Sequence, residues 1–239
     1  MSRRTLLIIL GVILLVAVAA FGVWWFSAGT GEPTTPLTSG EVEPANADTV
    51  VFSIVSDESV VRFIIDEELR GAPTTVIGAT DQVAGSMAVS FDNPIATEMG
   101  EVRINARTLQ TDNEFRNRAL RGQILQSAQD EFEFITFAPT ATEGLPETVT
   151  MGEAFTFQLT GDLTVRDVTS SVTFDVTVTP VSEERIEGSA TTTVQYADFN
   201  LVIPEVPGVA NVSDDVILEI DFVATPGSEA TPEATEEAA

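Results

Sequence analysis

From Phe155 to Val178 the chain alternates, and that alternation constrains its fold more than any other feature. Phe155, Phe157, Leu159, Gly161, Leu163 and Val165 are interleaved with Thr156, Gln158, Thr160, Asp162 and Thr164. After a polar break at Arg166–Ser171, Val172, Phe174, Val176 and Val178 alternate with Thr173, Asp175 and Thr177. A repeat of two puts one set of side chains on a dry face and the other in water, as in a β-strand. β-Branched and aromatic residues suit such a half-buried pleated surface, and a short polar break joins antiparallel neighbours. The stretch is predicted to be a β-hairpin, and whatever meets its dry face decides the architecture.

Similar strands are predicted on both sides of it, at 50–55, 59–69, 74–79, 82–91, 101–109, 132–139, 185–201 and 215–224. One segment breaks the pattern. In 111–129, Phe115, Ala119 and Leu120 fall at helical spacing, followed by Ile124 and Leu125, with Asp112 as the expected N-cap and Gly122 as the expected stop or kink. Short strands in succession with a single helical interruption point to an all-β antiparallel barrel or sandwich. The ordered domain is placed at 48–225. It follows a segment at 27–47 rich in Gly, Pro, Thr and Ser, read as a flexible tether, and precedes an acidic tail at 226–239.

Residues 1–26 have another character. Arg3 and Arg4 precede Thr5–Phe26, which is uncharged and almost wholly apolar and ends with Trp24 and Trp25 before Phe26. A run of this length matches the roughly 20 residues needed to span a bilayer. It outlasts the usual ~7–15-residue apolar region of a signal peptide. The expectation is a single transmembrane helix, retained as a cell-membrane anchor, with the N-terminus cytoplasmic and the domain outside. The alternative is a cleaved signal sequence.

Composition narrows the chemistry. The chain has 37 acidic residues against 11 basic, a formal net charge of −26, which opposes binding to nucleic acid or an anionic lipid surface. It contains no Cys, no His and no Lys. That removes thiolate nucleophiles, the usual general base near pH 7, the commonest metal ligands and Schiff-base chemistry. No catalytic residue, metal site or cofactor is predicted, and the chain is not read as an enzyme. Acidic pairs such as Glu67–Glu68 lack calcium-loop spacing and are read as solvated surface.

Several stretches, in order, resemble the YceI-like family. They are Val83–Asp92 (VAGSMAVSFD), Thr108–Thr111 (TLQT), the helix at Arg116–Leu125, Phe134–Phe137 (FITF) and, most closely, Leu159–Thr169 (LTGDLTVRDVT). The sequence departs from the family pattern at Glu133, where Pro is usual, and at Asp167, where Gly is usual. It departs again at Tyr196, where an Arg is usual, and at Asn200, where Gly is usual. The resemblance implies a lipocalin-like antiparallel β-barrel of about eight strands whose interior holds an isoprenoid lipid, of quinone or polyprenyl phosphate type. On that footing Met87, Phe91, Ile104, Phe155, Phe157 and Phe174 are the expected apolar lining of a pocket.

The same side chains would also make an ordinary packed core, leaving a ligand-free surface or adhesion domain as the alternative. Five arginines fall between positions 103 and 121. Arg103 and Arg107 are expected on the wet face of a strand. Arg116, Arg118 and Arg121, with Tyr196, are therefore the expected contacts to a ligand head group, guanidinium being suited to phosphate or carbonyl oxygens. The other reading of these arginines is that they neutralise neighbouring carboxylates.

Overall fold

The computed structural model describes residues 49–227, together with residues 33, 34, 37, 38, 40 and 42. The expected membrane helix at Thr5–Phe26 lies outside the described residues, as does the tail from 228 onward. Among the described residues no helix is long and apolar enough to cross a membrane.

The strands are β1 (Val50–Ile54), β2 (Val60–Leu69), β3 (Ala72–Thr80), β4 (Val83–Ala84), β5 (Ser86–Val89), β6 (Glu98–Met99), β7 (Val102–Asn105), β8 (Phe134–Glu143), β9 (Phe155–Val165), β10 (Val168–Ser182), β11 (Arg185–Gln195), β12 (Val209–Ala210) and β13 (Asp215–Pro226). All belong to one curled, antiparallel sheet. Thirteen strands thus stand where the sequence suggested about eight, because kinks divide long runs of chain. A 3₁₀ turn at Ser56–Glu58 separates β1 from β2, yet both lie along β13. Gly85 separates β4 from β5, which pair on opposite sides, with β7 and β1 respectively.

Grouped by these kinks, the chain makes eight successive passes. The first holds β1 and β2, the second β3 to β5, the third β6 and β7, and β8, β9, β10, β11 and β13 follow singly. Each pass pairs with the next, and β13 returns to β1 and β2. The long strands are flanked on both sides except β3, which pairs with β2 and otherwise meets only an isolated bridge from Ala79 to Gln110.

The β9–β10 hairpin has the alternation read from sequence. Phe157, Gly161, Leu163, Val165, Phe174, Val176 and Val178 are buried, while Thr156, Gln158, Asp162, Thr173, Asp175 and Thr177 are exposed. Its connection is shorter than expected. Val165 pairs directly with Val168, so only Arg166 and Asp167 turn, and Thr169–Ser171 belong to β10. The left-handed residue of that turn is Arg166, at φ 57°, and not Asp167. An Asp at 167 therefore incurs no steric penalty there. On the inner face Gly161 makes room for the Phe137 ring, which occupies the space a Cβ would take. Phe137 in turn meets Phe174 edge to face at 5.1 Å between centroids.

The helical insertion is α1 (Glu114–Ala119), continued by a π-helical turn at Leu120–Ile124. Its N-cap is Asn113, whose side chain accepts from the amides of Phe115 and Arg116; Asp112, the expected cap, instead pairs with Arg116 at 2.6 Å. Gly122 does not stop the helix but lies within the π turn, which closes with a Leu125 N–H to Leu120 carbonyl bond of 2.7 Å. That wider turn brings Leu120 and Leu125, five residues apart, both into the core.

The passes alternate between two ends, and the ends differ. One, here the capped end, carries the Arg70–Gly71 turn, α1, the Arg166–Asp167 turn and residues 196–214. It is plugged by Leu109, Leu120, Leu125 and Phe199, all buried. The other, the open end, carries the loops 90–97 and 144–154, the 183–184 turn and the entry to β1.

A candidate lipid cavity and its surroundings

The inward faces of the passes do not fill the interior. They enclose a cavity of about 210 Å³ whose lining runs from the capped-end termini of β7, β8 and β9 to the open end. Towards the capped end its wall is Ile104, Ile135, Leu163 and Val165, with Phe137 further along; towards the open end it is Phe91, Pro94, Leu145, Val149, Phe155 and Pro180. No arginine lines it. The hydroxyl groups at its margin have partners within the protein. Ser86 Oγ donates to the Gly40 carbonyl at 2.8 Å, Ser90 Oγ accepts from the Asn93 amide and Thr97 Oγ1 from the Ser90 amide. Glu219 is the one charged residue of the lining, and the rest of the wall is almost wholly carbon; such a void favours an apolar occupant.

Met87, Phe91, Ile104, Phe155, Phe157 and Phe174 all lie in this wall. Five of them come from four different passes, where the period-two pattern aims them inward; Phe91 comes from the 90–97 loop at the open end. The expected head-group contacts lie elsewhere. Arg116, Arg118, Arg121 and Tyr196 are all at the capped end and none of them lines the cavity. Each has a local contact, although the Arg121 Nε is buried without a hydrogen-bond partner. Arg116 bridges Glu67 at 3.0 Å and Asp112 at 2.6 Å. Arg118 lies over the Phe115 ring at 5.6 Å. Arg121 donates weakly to the Arg107 carbonyl at 3.5 Å. The Tyr196 hydroxyl donates to Asp214 at 3.2 Å; desolvation first, and then that bond, raise its pKa above the ordinary tyrosine value.

Arg107 departs furthest from expectation. It is not on the wet face of a strand but in a 3₁₀ turn, Ala106–Thr108, and its side chain is only 4% exposed. Its guanidinium donates to Glu133 at 2.9 Å, to Asp130 at 2.6 Å and to the Ser127 carbonyl at 2.6 Å. Glu133 is equally buried and also accepts from Asn105 Nδ2 at 3.0 Å and from the hydroxyl of Thr34 at 2.8 Å. A charge pair this dry persists only when its lone pairs and protons are met, as they are here. The sequence showed Glu133 as a departure from the family pattern, but its partner, 26 residues away, could not be read from spacing.

Residues before the domain also touch it. Thr34 reaches Glu133, the Thr38 carbonyl accepts from Arg103 at 3.4 Å, Gly40 accepts from Ser86, and Val42 packs on Gly100. These contacts follow the outer wall of the second and third passes from the capped end towards the open end.

The YceI-like domain model matches residues 52–224. No curated protein matches the chain. Two solved structures share its fold. One is a polyisoprenoid binding domain from Saccharophagus degradans implicated in plant cell wall breakdown, 14% identical, with a TM-score of 0.55, covering 74% of this chain and 99% of that one. The other is BcnA of Burkholderia cenocepacia, 17% identical, with a TM-score of 0.56, covering 72% of this chain and 99% of that one. The match spans every pass of the barrel and the helical insertion, and the chain therefore belongs to the family of YceI-like domain proteins.

Proposed function

We propose that this protein is a membrane-anchored, extracytoplasmic binding protein for an isoprenoid lipid, whose tail lies in the barrel and which is carried or stored rather than chemically altered. The observation that carries this reading is the carbon-walled cavity ending at the open end. It is larger than the ~150 Å³ void that admits benzene in an engineered core. The flexible Met87 and Met99 in the wall can yield to a longer tail. Burial of each methylene-sized group contributes about 0.8 kcal/mol. Family membership and the named ligand class of the Saccharophagus domain support the same class of ligand here.

The apolar run at Thr5–Phe26 serves as the anchor, with Arg3 and Arg4 on the cytoplasmic side. The open end also exposes Val50, Ile95, Met151 and Val181, a set of apolar side chains around the cavity exit that suits uptake of a tail from a bilayer. With no Cys, His or Lys in the chain and no arginine in the wall, nothing near the bound tail is equipped for chemistry on it.

The test is to fill the cavity. Val176→Phe adds bulk to a wall residue that is 4% exposed. Uptake of a prenyl-tailed fluorescent probe is expected to fall at least tenfold while the protein remains folded. Undiminished uptake by the folded variant contradicts the reading.

A further inference from the structure

The cavity and its rim together carry a statement about the ligand's polar end, one that rests on the lipid-binding reading above. The inner part of the wall is hydrocarbon, so a charged group carried inward would be buried with no counter-ion, at a cost of several kcal/mol. The head must therefore sit at the open end. The loops and turns there carry Asp92, Glu143, Glu147, Glu153, Glu183 and Glu184, all exposed. Against them stands a single arginine, Arg185, already bound to Glu58 and Glu187 at 2.8 Å each. Those two carboxylates raise its pKa further above the arginine value, so it stays charged and committed. The other arginines of the barrel that could meet an anion, Arg116, Arg118, Arg121 and Arg166, are at the capped end, where Leu109, Leu120, Leu125 and Phe199 are buried. The Nε atoms of Arg121 and Arg166 are buried without a hydrogen-bond partner, but none of the four arginines lines the cavity.

We infer that the cavity selects isoprenoid lipids with an uncharged head, of the alcohol or quinone kind, and discriminates against polyprenyl phosphates. Neither orientation of a phosphate satisfies it. With the head inward it is desolvated among carbon atoms; with the head outward it enters a field of like charge. An uncharged head meets no such penalty. Loop backbone groups and water at the open end can serve its hydroxyl or carbonyl oxygen.

The test compares a polyprenol with the monophosphate of the same polyprenol, each bearing a benzophenone at the tail end. The full-length chain is held in nanodiscs of zwitterionic lipid, and crosslinks to cavity-wall peptides are mapped by mass spectrometry. Half-maximal crosslinking by the alcohol is expected at a concentration at least tenfold below that of the phosphate. Equal or tighter crosslinking by the phosphate overturns the inference and leaves lipid binding standing. Crosslinking of neither probe to the wall overturns lipid binding and the inference with it. The double variant Asp92→Lys, Glu147→Lys reverses rim charge without touching the wall. It is expected to narrow the gap by on the order of threefold to tenfold, more at low salt than at high. An unchanged gap contradicts the role given to the rim.

Discussion

The two ends of this barrel are built from opposite chemistry. The capped end concentrates arginines, buries an ion pair between Arg107 and Glu133, and is plugged by leucines from the helical insertion. The open end has a hollow carbon wall, exposed apolar side chains and exposed carboxylates. A cluster of guanidinium groups suggests anion binding when read along the sequence. In three dimensions, most of these cations are spent on carboxylates and carbonyls of the protein itself. The void that could hold a ligand lies at the end without them. The arginines seen in sequence thus mark structure at one end, and the hollow carbon wall marks the proposed ligand site that opens at the other.

That contrast can be broken most forcefully at the buried pair. Arg107→Ala leaves Glu133 buried without its cation, and the expected loss is about 3–5 kcal/mol of stability, read by chemical denaturation. Prenyl-probe affinity per folded molecule is expected to be unchanged. A variant that stays equally stable would show that the capped end does not hold the fold together in this way. At the inner wall, Gly161→Val forces the Phe137 ring to move. An expected cost of about 1–3 kcal/mol is accompanied by weaker probe uptake, since Phe137 lines the cavity.

A third variant sharpens the comparison by what it leaves alone. Replacing Arg116, Arg118 and Arg121 together with Ala removes three of the arginines first expected to hold a head group. Probe uptake is expected to stay within twofold of the parent, because none of them lines the cavity. Arg116 pairs with Glu67, whose side chain is only 9% exposed, so a stability loss of about 1–3 kcal/mol is expected and uptake is compared per folded molecule. A tenfold loss of uptake would place the head at the capped end after all.

The smallest effect concerns Tyr196. Its pKa is raised in the folded state, chiefly by desolvation and next by its bond to Asp214. The contribution is fully present below the ordinary tyrosine pKa near 10 and is lost as pH rises through the higher folded value. Tyr196→Phe is therefore expected to flatten the alkaline limb of the stability profile and to leave neutral pH little changed. An alkaline limb identical in both proteins would contradict the assignment.

Much of the barrel was legible because alternation is a local property. The inward set of β9 and β10, together with Met87 and Ile104, follows from period two, whereas Phe91 was read as continuing a strand that ends at Val89. The breaks in the long passes were less visible: Gly85 was read as one more residue of a continuous strand, although β4 and β5 part company there. What failed was anything that depends on which distant residues meet. Arg107 fell on the polar side of an assumed strand, but the chain had already turned into a 3₁₀ segment that buries it against Glu133. The head-group arginines were sought near the helix because charge clusters there. Which end of the barrel that helix closes is set by the pairing of all the passes, and no single stretch carries that information. Nor can a list of inward side chains say whether they meet or leave room.

The central claim is that the hollow end of this barrel carries an uncharged isoprenoid lipid. Lipid extraction of the full-length protein, purified beside its Val176→Phe variant, tests it most directly, with prenyl lipids quantified per chain. The account expects close to one prenyl alcohol or quinone per molecule of the parent protein and almost none in the filled variant. Absence of prenyl lipid from the parent protein, or equal amounts in both, would contradict it.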